Sequence, residues 1–149
     1  MSRQISSSRQ GRYLEDMAIG DSADFSKTVT ETDILMYAGV SGDTNPVHVD
    51  AEYAQGTMFK GRIAHGMLSA AFISAVLGTR LPGPGCIYLS QSLKFKAPVK
   101  IGDTVRATVT VTDINQDKRR VTLTTQCTVG DTVVVDGEAI VMVDRRPTA

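Results

Sequence analysis

A carboxylate and an imidazole stand five positions apart at Asp43 and His48, with Asn45-Pro46 between them. Pro46 bars Asn45 from the α region, so the stretch from Asp43 to His48 is expected to be a loop. A rigid turn of this kind can aim both side chains at one small volume. With reference pKa values of ~3.9 and ~6.5, Asp and His are both largely unprotonated at neutral pH, so together they can polarise a water and take or return its proton. The same residues also have an ordinary use. An Asp before a turn often caps its own backbone, and Asn-Pro is common turn chemistry. A second histidine, His65, precedes Gly66 at the head of an apolar run. With Asp43 and His48 it completes a nominal two-histidine, one-carboxylate metal set, or it simply fixes the loop ahead of Gly66.

Several elements must position these groups. Ser22 to Val29 reads as a first strand. Thr30-Glu-Thr-Asp33 has the form of a capping box, with Ile34, Leu35 and Ala38 at helical spacing behind it and Gly42 as the stop. Asp50 can cap a short helix from Ala51 to Gln55, which Gly56 ends. From Met67, the run MLSAAFISAVLG is apolar or small on every side, which predicts a helix buried all round. Its amide-rich start falls at Gly66, where backbone N–H groups lack partners and the helix dipole favours negative charge.

After the LPGPG loop (Leu81 to Gly85) the period changes to two. Strands are expected over Ile87–Lys96, Asp103–Ile114, Arg119–Val129 and Thr132–Val143. Within them Val105, Ala107, Val109 and Val111 alternate with Arg106, Thr108, Thr110 and Thr112. Asn115 to Lys118 and Gly130-Asp131 supply the hairpin turns. The expected architecture is α+β, with one antiparallel sheet curled around the buried helix.

The chain has 149 residues, enough for one domain. Sixteen Lys+Arg balance sixteen Asp+Glu, and aromatics are only 5% with no Trp, which argues against nucleic-acid or polybasic membrane binding. No apolar run reaches the ~20 residues of a membrane span. Cys86 and Cys127 lie in no CxxC pattern, so they read as free thiols of a cytoplasmic protein. Residues 1–12 carry Ser and Arg without acids and have no signal-peptide core. They are expected to form a flexible tail ahead of a single domain over 13–146. The LPGPG loop lacks a following Lys-Ser/Thr and is no P-loop.

From Tyr37 to Ala54 the chain resembles the hydratase-2 signature of the MaoC-like family, the (R)-specific enoyl-CoA hydratases. The positions that carry the likeness are Tyr37, Val40, Ser41, Gly42, Asp43, Asn45, Pro46, Val47, His48 and Ala54. It continues through Phe59, Ile63-Ala-His-Gly-Met-Leu68, the LPGPG loop and Ser90-Gln-Ser-Leu-Lys-Phe95, and fades in the later strands. The resemblance implies a hot-dog fold, a curved antiparallel sheet wrapped around a long central helix, and a homodimer or higher homo-oligomer. It implies reversible hydration of a trans-2-enoyl-CoA to an (R)-3-hydroxyacyl-CoA, in fatty-acid metabolism or polyhydroxyalkanoate precursor supply. By the same resemblance Asp43 and His48 are catalytic, Asn45 helps orient them, Ser74 lies nearby, and the Gly66 amide polarises the thioester carbonyl. No metal or separate cofactor is implied, because coenzyme A enters with the substrate. Lys60, Arg62, Lys94, Lys96, Lys100 and Lys118 to Arg120 are the candidates for its phosphates. Alternatives are a non-catalytic acyl-thioester-binding module, a dehydratase of acyl-carrier-protein thioesters, and a thioesterase.

Overall fold

In a computed structural model of the chain, residues 9–148 are described. Strand β1 (Ser22–Thr28) leads to helix α1 (Glu31–Ser41), then the short helices α2 (Pro46–Val49) and α3 (Ala51–Gln55). Helix α4 (Gly66–Thr79) follows, and the chain then gives β2 (Ile87–Gln91), β3 (Lys94–Phe95), β4 (Thr104–Asn115), β5 (Arg120–Val129) and β6 (Thr132–Met142). The local signals act as their chemistry requires. The Thr30 hydroxyl accepts from Asp33 N at 3.2 Å and the Asp33 carboxylate accepts from Thr30 N at 2.9 Å, closing the capping box. Gly42 ends α1 in the left-handed region, at φ 79°. Asp50 caps α3 by accepting from Tyr53 N at 3.0 Å.

The expected loop between Asp43 and His48 is corrected in its second half. Asn45 is indeed extended, at ψ 125°, but Pro46 opens a one-turn helix that carries His48. Proline suits a first helical position because its missing N–H has no intrahelical partner to lose. The Asn45 side chain caps this turn, its Oδ1 accepting from Val47 N at 3.2 Å.

All the strand pairings are antiparallel, in a six-stranded sheet ordered β1-β4-β5-β6-β2, with β3 also on β6. The class is α+β and hot-dog-like, but the expected sheet curled around a central helix is overturned. The sheet is open, because β1 and β2 end the order without pairing to each other. Helix α4 lies on one face of it, packing Phe72, Ile73, Val76 and Leu77 into a core shared with Val105, Val109, Val111, Leu123 and Val141. Its other side is not enclosed: Met67 is 50% exposed, and Ala71, Ser74 and Gly78 are exposed in line with it. Apolarity on every side marked this helix as buried, but one chain supplies a sheet for only one of its faces.

The expected strand Ile87–Lys96 is divided. Ser92 crosses so close to β6 that a Cβ on Gly137 would overlap the Ser92 carbonyl oxygen, so glycine is required there. This crossing separates β2 from β3 and sets where Phe95 falls. Residues 1–8, most of the expected tail, lie outside the described residues. Within its remainder, Gly11 N donates to Pro84 O and Arg12 N to Pro82 O, both at 2.8 Å. The LPGPG loop therefore docks Gly11 and Arg12. Both cysteines are free, Cys127 buried and Cys86 half-buried. No helix among the described residues is long and apolar enough to cross a membrane.

Candidate active site

Two segments build the site: the turn from Asp43 to α2, and residues 62–66 entering α4. They are laced together mainly through backbone carbonyls. His48 Nδ1 lies 2.8 Å from Ile63 O. A carbonyl oxygen can only accept, so Nδ1 donates, and in the neutral ring the lone pair is left on Nε2. His65 Nε2 lies 2.8 Å from Asp43 O and by the same reasoning donates. Ile63 N donates to Val47 O at 3.3 Å, and Arg62 Nε donates to His48 O at 2.6 Å. The two imidazoles stack at 3.9 Å with ring planes 27° apart, and Tyr37 meets the His65 ring at 4.7 Å. His48 is 8% and His65 2% exposed, whereas Asp43 is open to solvent.

Asp43 serves both uses that its sequence allows. Its Oδ1 accepts from Asn45 N at 3.2 Å, the ordinary turn role. Its carboxylate still lies within 4.8 Å of ring nitrogens of His48 and His65. A carboxylate and an unprotonated Nε2 beside one small space can hold a water and move its proton. The same three side chains form a nominal metal set, but one nitrogen of each ring, His48 Nδ1 and His65 Nε2, is already held by a backbone carbonyl.

Gly66 is the first residue of α4, and its predecessor His65 makes no side-chain cap. Leu68 N turns back to His65 O at 3.0 Å, while the Gly66 and Met67 amides at the head of the helix have no capping side chain and can stabilise a developing oxyanion. A cleft of about 450 Å³ joins Asp43, His65 and Gly66 to Phe59, Phe95, Lys96 and the apolar Val134 and Val135. The need for glycine at 66 has a local cause that sequence reasoning missed. A Cβ there would stand 2.5 Å from Cδ1 of Phe95. An aromatic side chain on a two-residue strand gives no local sign of that contact.

The other sequence candidates are distributed as follows. Ser74 lies apart from the Asp43 cleft, in a second one with Tyr37, Met67, Tyr88 and Leu93; Met67 borders both. Arg62 is occupied structurally: besides His48 O it holds both carboxylate oxygens of Glu31, at 2.7 and 2.9 Å. Arg119 pairs with Asp144. Among the basic candidates Lys96 lines the Asp43 cleft, and Lys100 Nζ donates to Phe59 O at 3.3 Å, beside it. Tyr37 and Ile63 are parts of the site whose contacts no spacing rule announces.

Residues 16–135 match the MaoC like domain, and the chain belongs to that family. It is 65% identical to the (R)-specific enoyl-CoA hydratase of Rhodospirillum rubrum, over 90% of this chain and 93% of that one. Its fold matches the R-hydratase PhaJ1 from Pseudomonas aeruginosa in the unliganded form, with a TM-score of 0.87 and 45% identity over 92% of this chain and 88% of that one. It matches the (R)-hydratase from Aeromonas caviae involved in PHA biosynthesis at 0.84 and 44%, over 87% and 98%.

Proposed function

We propose that this protein is an (R)-specific enoyl-CoA hydratase, a hydro-lyase that reversibly adds water across the double bond of a trans-2-enoyl-CoA. The observation that carries the reading is the 65% identity, over nine-tenths of the chain, to an enzyme of that name. The site chemistry agrees with it. The thioester oxygen sits on the Gly66 amide, where the start of α4 stabilises charge as it develops on that oxygen. Asp43 and the bare Nε2 of His48 hold the water. As its oxygen bonds to C3, one of them takes its proton and a proton is delivered to C2, giving the (R)-3-hydroxyacyl-CoA. Asn45 acts by capping the turn that carries His48. Coenzyme A arrives with the substrate, and Lys96 is the cation best placed on the cleft to meet its phosphates.

The working unit in this reading is a homodimer of the domain over 13–146, in the cytoplasm. Support comes from the exposed line of Met67, Ala71 and Ser74 on α4, flanked by the exposed Tyr88 and Leu89 of the edge strand β2. Open edges and apolar faces of this kind invite pairing.

One assay tests the function against its alternatives. Enoyl absorbance and free thiol are followed together over a series of acyl lengths, on both coenzyme A and acyl-carrier-protein thioesters. Hydration predicts loss of absorbance without thiol release. Thiol release would indicate a thioesterase, and inertness a binding module. Turnover confined to carrier-protein substrates would replace coenzyme A as the carrier.

A further inference from the structure

A buried polar side chain with an unmet hydrogen-bonding atom asks for a reason. His65 is 2% exposed, its Nε2–H donates to Asp43 O at 2.8 Å, and its Nδ1 has no partner among the described residues. For packing alone, an apolar side chain of similar size would serve better, since it would bury no unpaired acceptor. What distinguishes the ring is its position. It is bonded in sequence to Gly66, hydrogen-bonded to the backbone of Asp43, and stacked on His48 at 3.9 Å. Its far side is closed by Tyr37. One side chain therefore touches both members of the acid–base pair and adjoins the residue whose amide faces the thioester. Three bonds tie the His48 end of the turn to residues 62 and 63, whereas the link to the exposed Asp43, 22 positions away in the chain, is the one from His65.

We infer that His65 is a positioning residue for hydration: its Nε2–H sets the separation between Asp43, the exposed member of the water-holding pair, and the oxyanion amide. The inference rests on the hydratase reading above. His65 moves no proton in this scheme, because its one ring proton is engaged by a backbone carbonyl. Its service is geometric. It keeps C3 of the enoyl group within reach of the water while the thioester oxygen stays on Gly66.

The test compares His65→Phe, which fills the volume without a donor, with His65→Gln, whose amide offers an N–H at similar reach. His65→Phe should lower kcat for crotonyl-CoA about 10–100-fold, the scale of a misplaced reacting group, with KM changed little. His65→Gln should recover most of the lost kcat and keep both limbs of the wild-type pH–rate profile. Three outcomes overturn the inference: His65→Phe near wild-type kcat, His65→Gln as impaired as His65→Phe with a matching fall in Tm, or loss of a pH limb in His65→Gln. Should His65→Phe not fold, His65→Leu takes its place. An arm independent of activity is ¹⁵N NMR of the wild-type imidazoles, in which His65 should show the Nε2–H tautomer and an Nδ1–H tautomer would refute the bond. Wild-type protein inert toward every enoyl thioester would sink the hydratase reading instead, leaving the NMR arm to judge the His65–Asp43 link.

Discussion

The carbonyl of His48 accepts from Arg62 Nε at 2.6 Å, while the same guanidinium grips both oxygens of Glu31 at the start of α1. One planar cation thus ties the imidazole-bearing turn to the first helix. Lysine cannot reproduce this three-way fork. Arg62→Lys should destabilise the fold by about 1.5–3 kcal/mol, the range for hydrogen bonds to charged groups. It should also lower kcat by roughly tenfold through displacement of His48. Urea unfolding and the hydration assay check both, and a variant unchanged in each would show that the fork is dispensable.

Asp43→Ala and His48→Ala should each reduce kcat by ~10²–10⁴, the scale of a lost acid or base. The double variant should be little worse than either single one, because in the proposed mechanism both groups act on one water. Hydration at a near-normal rate by either single variant would remove that residue from the chemistry.

At Gly66 the clash with Phe95 allows packing and catalysis to be separated. Gly66→Ala should lower both Tm and kcat. Adding Phe95→Ala removes the ring atoms that the new methyl meets at 2.5 Å, so Tm should recover. Turnover should stay depressed, since in the proposed mechanism the methyl still crowds the thioester, and loss of one oxyanion donor is worth ~10²–10³ in kcat. Full recovery of turnover in the double variant would mean that the glycine serves packing alone.

The exposed line on α4 predicts an effect on association. In the proposed homodimer that line forms the joint, so Met67→Glu or Ala71→Arg should bury an unpaired charge there and shift sedimentation from dimer to monomer. A dimer unaffected by either change would place the interface elsewhere.

Burial pushes the Cys127 thiol from 9.0 up to about 12, and raises Cys86 for the same reason. Between those two values the unfolded chain gives up the Cys127 proton while the folded chain keeps it. Stability therefore falls as pH rises above 9.0 and stops falling, on this account, near 12. Cys127→Ala should remove this part of the alkaline slope in denaturant titrations. Native protein at pH near 8 should also resist alkylation, read by mass spectrometry, because the reactive thiolate is scarce at both positions. Rapid labelling of Cys127 in folded protein would contradict its burial.

How much of this was legible in the sequence depends on distance along the chain. The capping box at Thr30–Asp33, the stop at Gly42 and the cap at Asp50 involve partners three or four residues apart, and they appear where the residue types require. The alternation from Val105 to Val111 likewise fixed which face of β4 is buried. The Asp43–His48 spacing identified the two groups but not the one-turn helix under His48, because Pro46 suits a loop and a first helical turn equally. What could not be read was non-local. Phe95 against Gly66, Arg62 on the His48 carbonyl and Ser74 in a separate cleft all depend on how distant elements meet. The openness of the sheet was missed for a related reason, since the composition of α4 says that its faces are apolar but not whether this chain covers them.

Both imidazole tautomers in the site are dictated by main-chain carbonyls, Ile63 O for His48 and Asp43 O for His65. Transplanting the 43–48 turn into another scaffold would therefore carry over the side chains without their protonation pattern. Residues 62–66 would have to travel with it, since they supply the acceptor that leaves Nε2 of His48 bare. For anyone engineering this chemistry elsewhere, the smallest portable unit is two separate segments of backbone held side by side, not a motif.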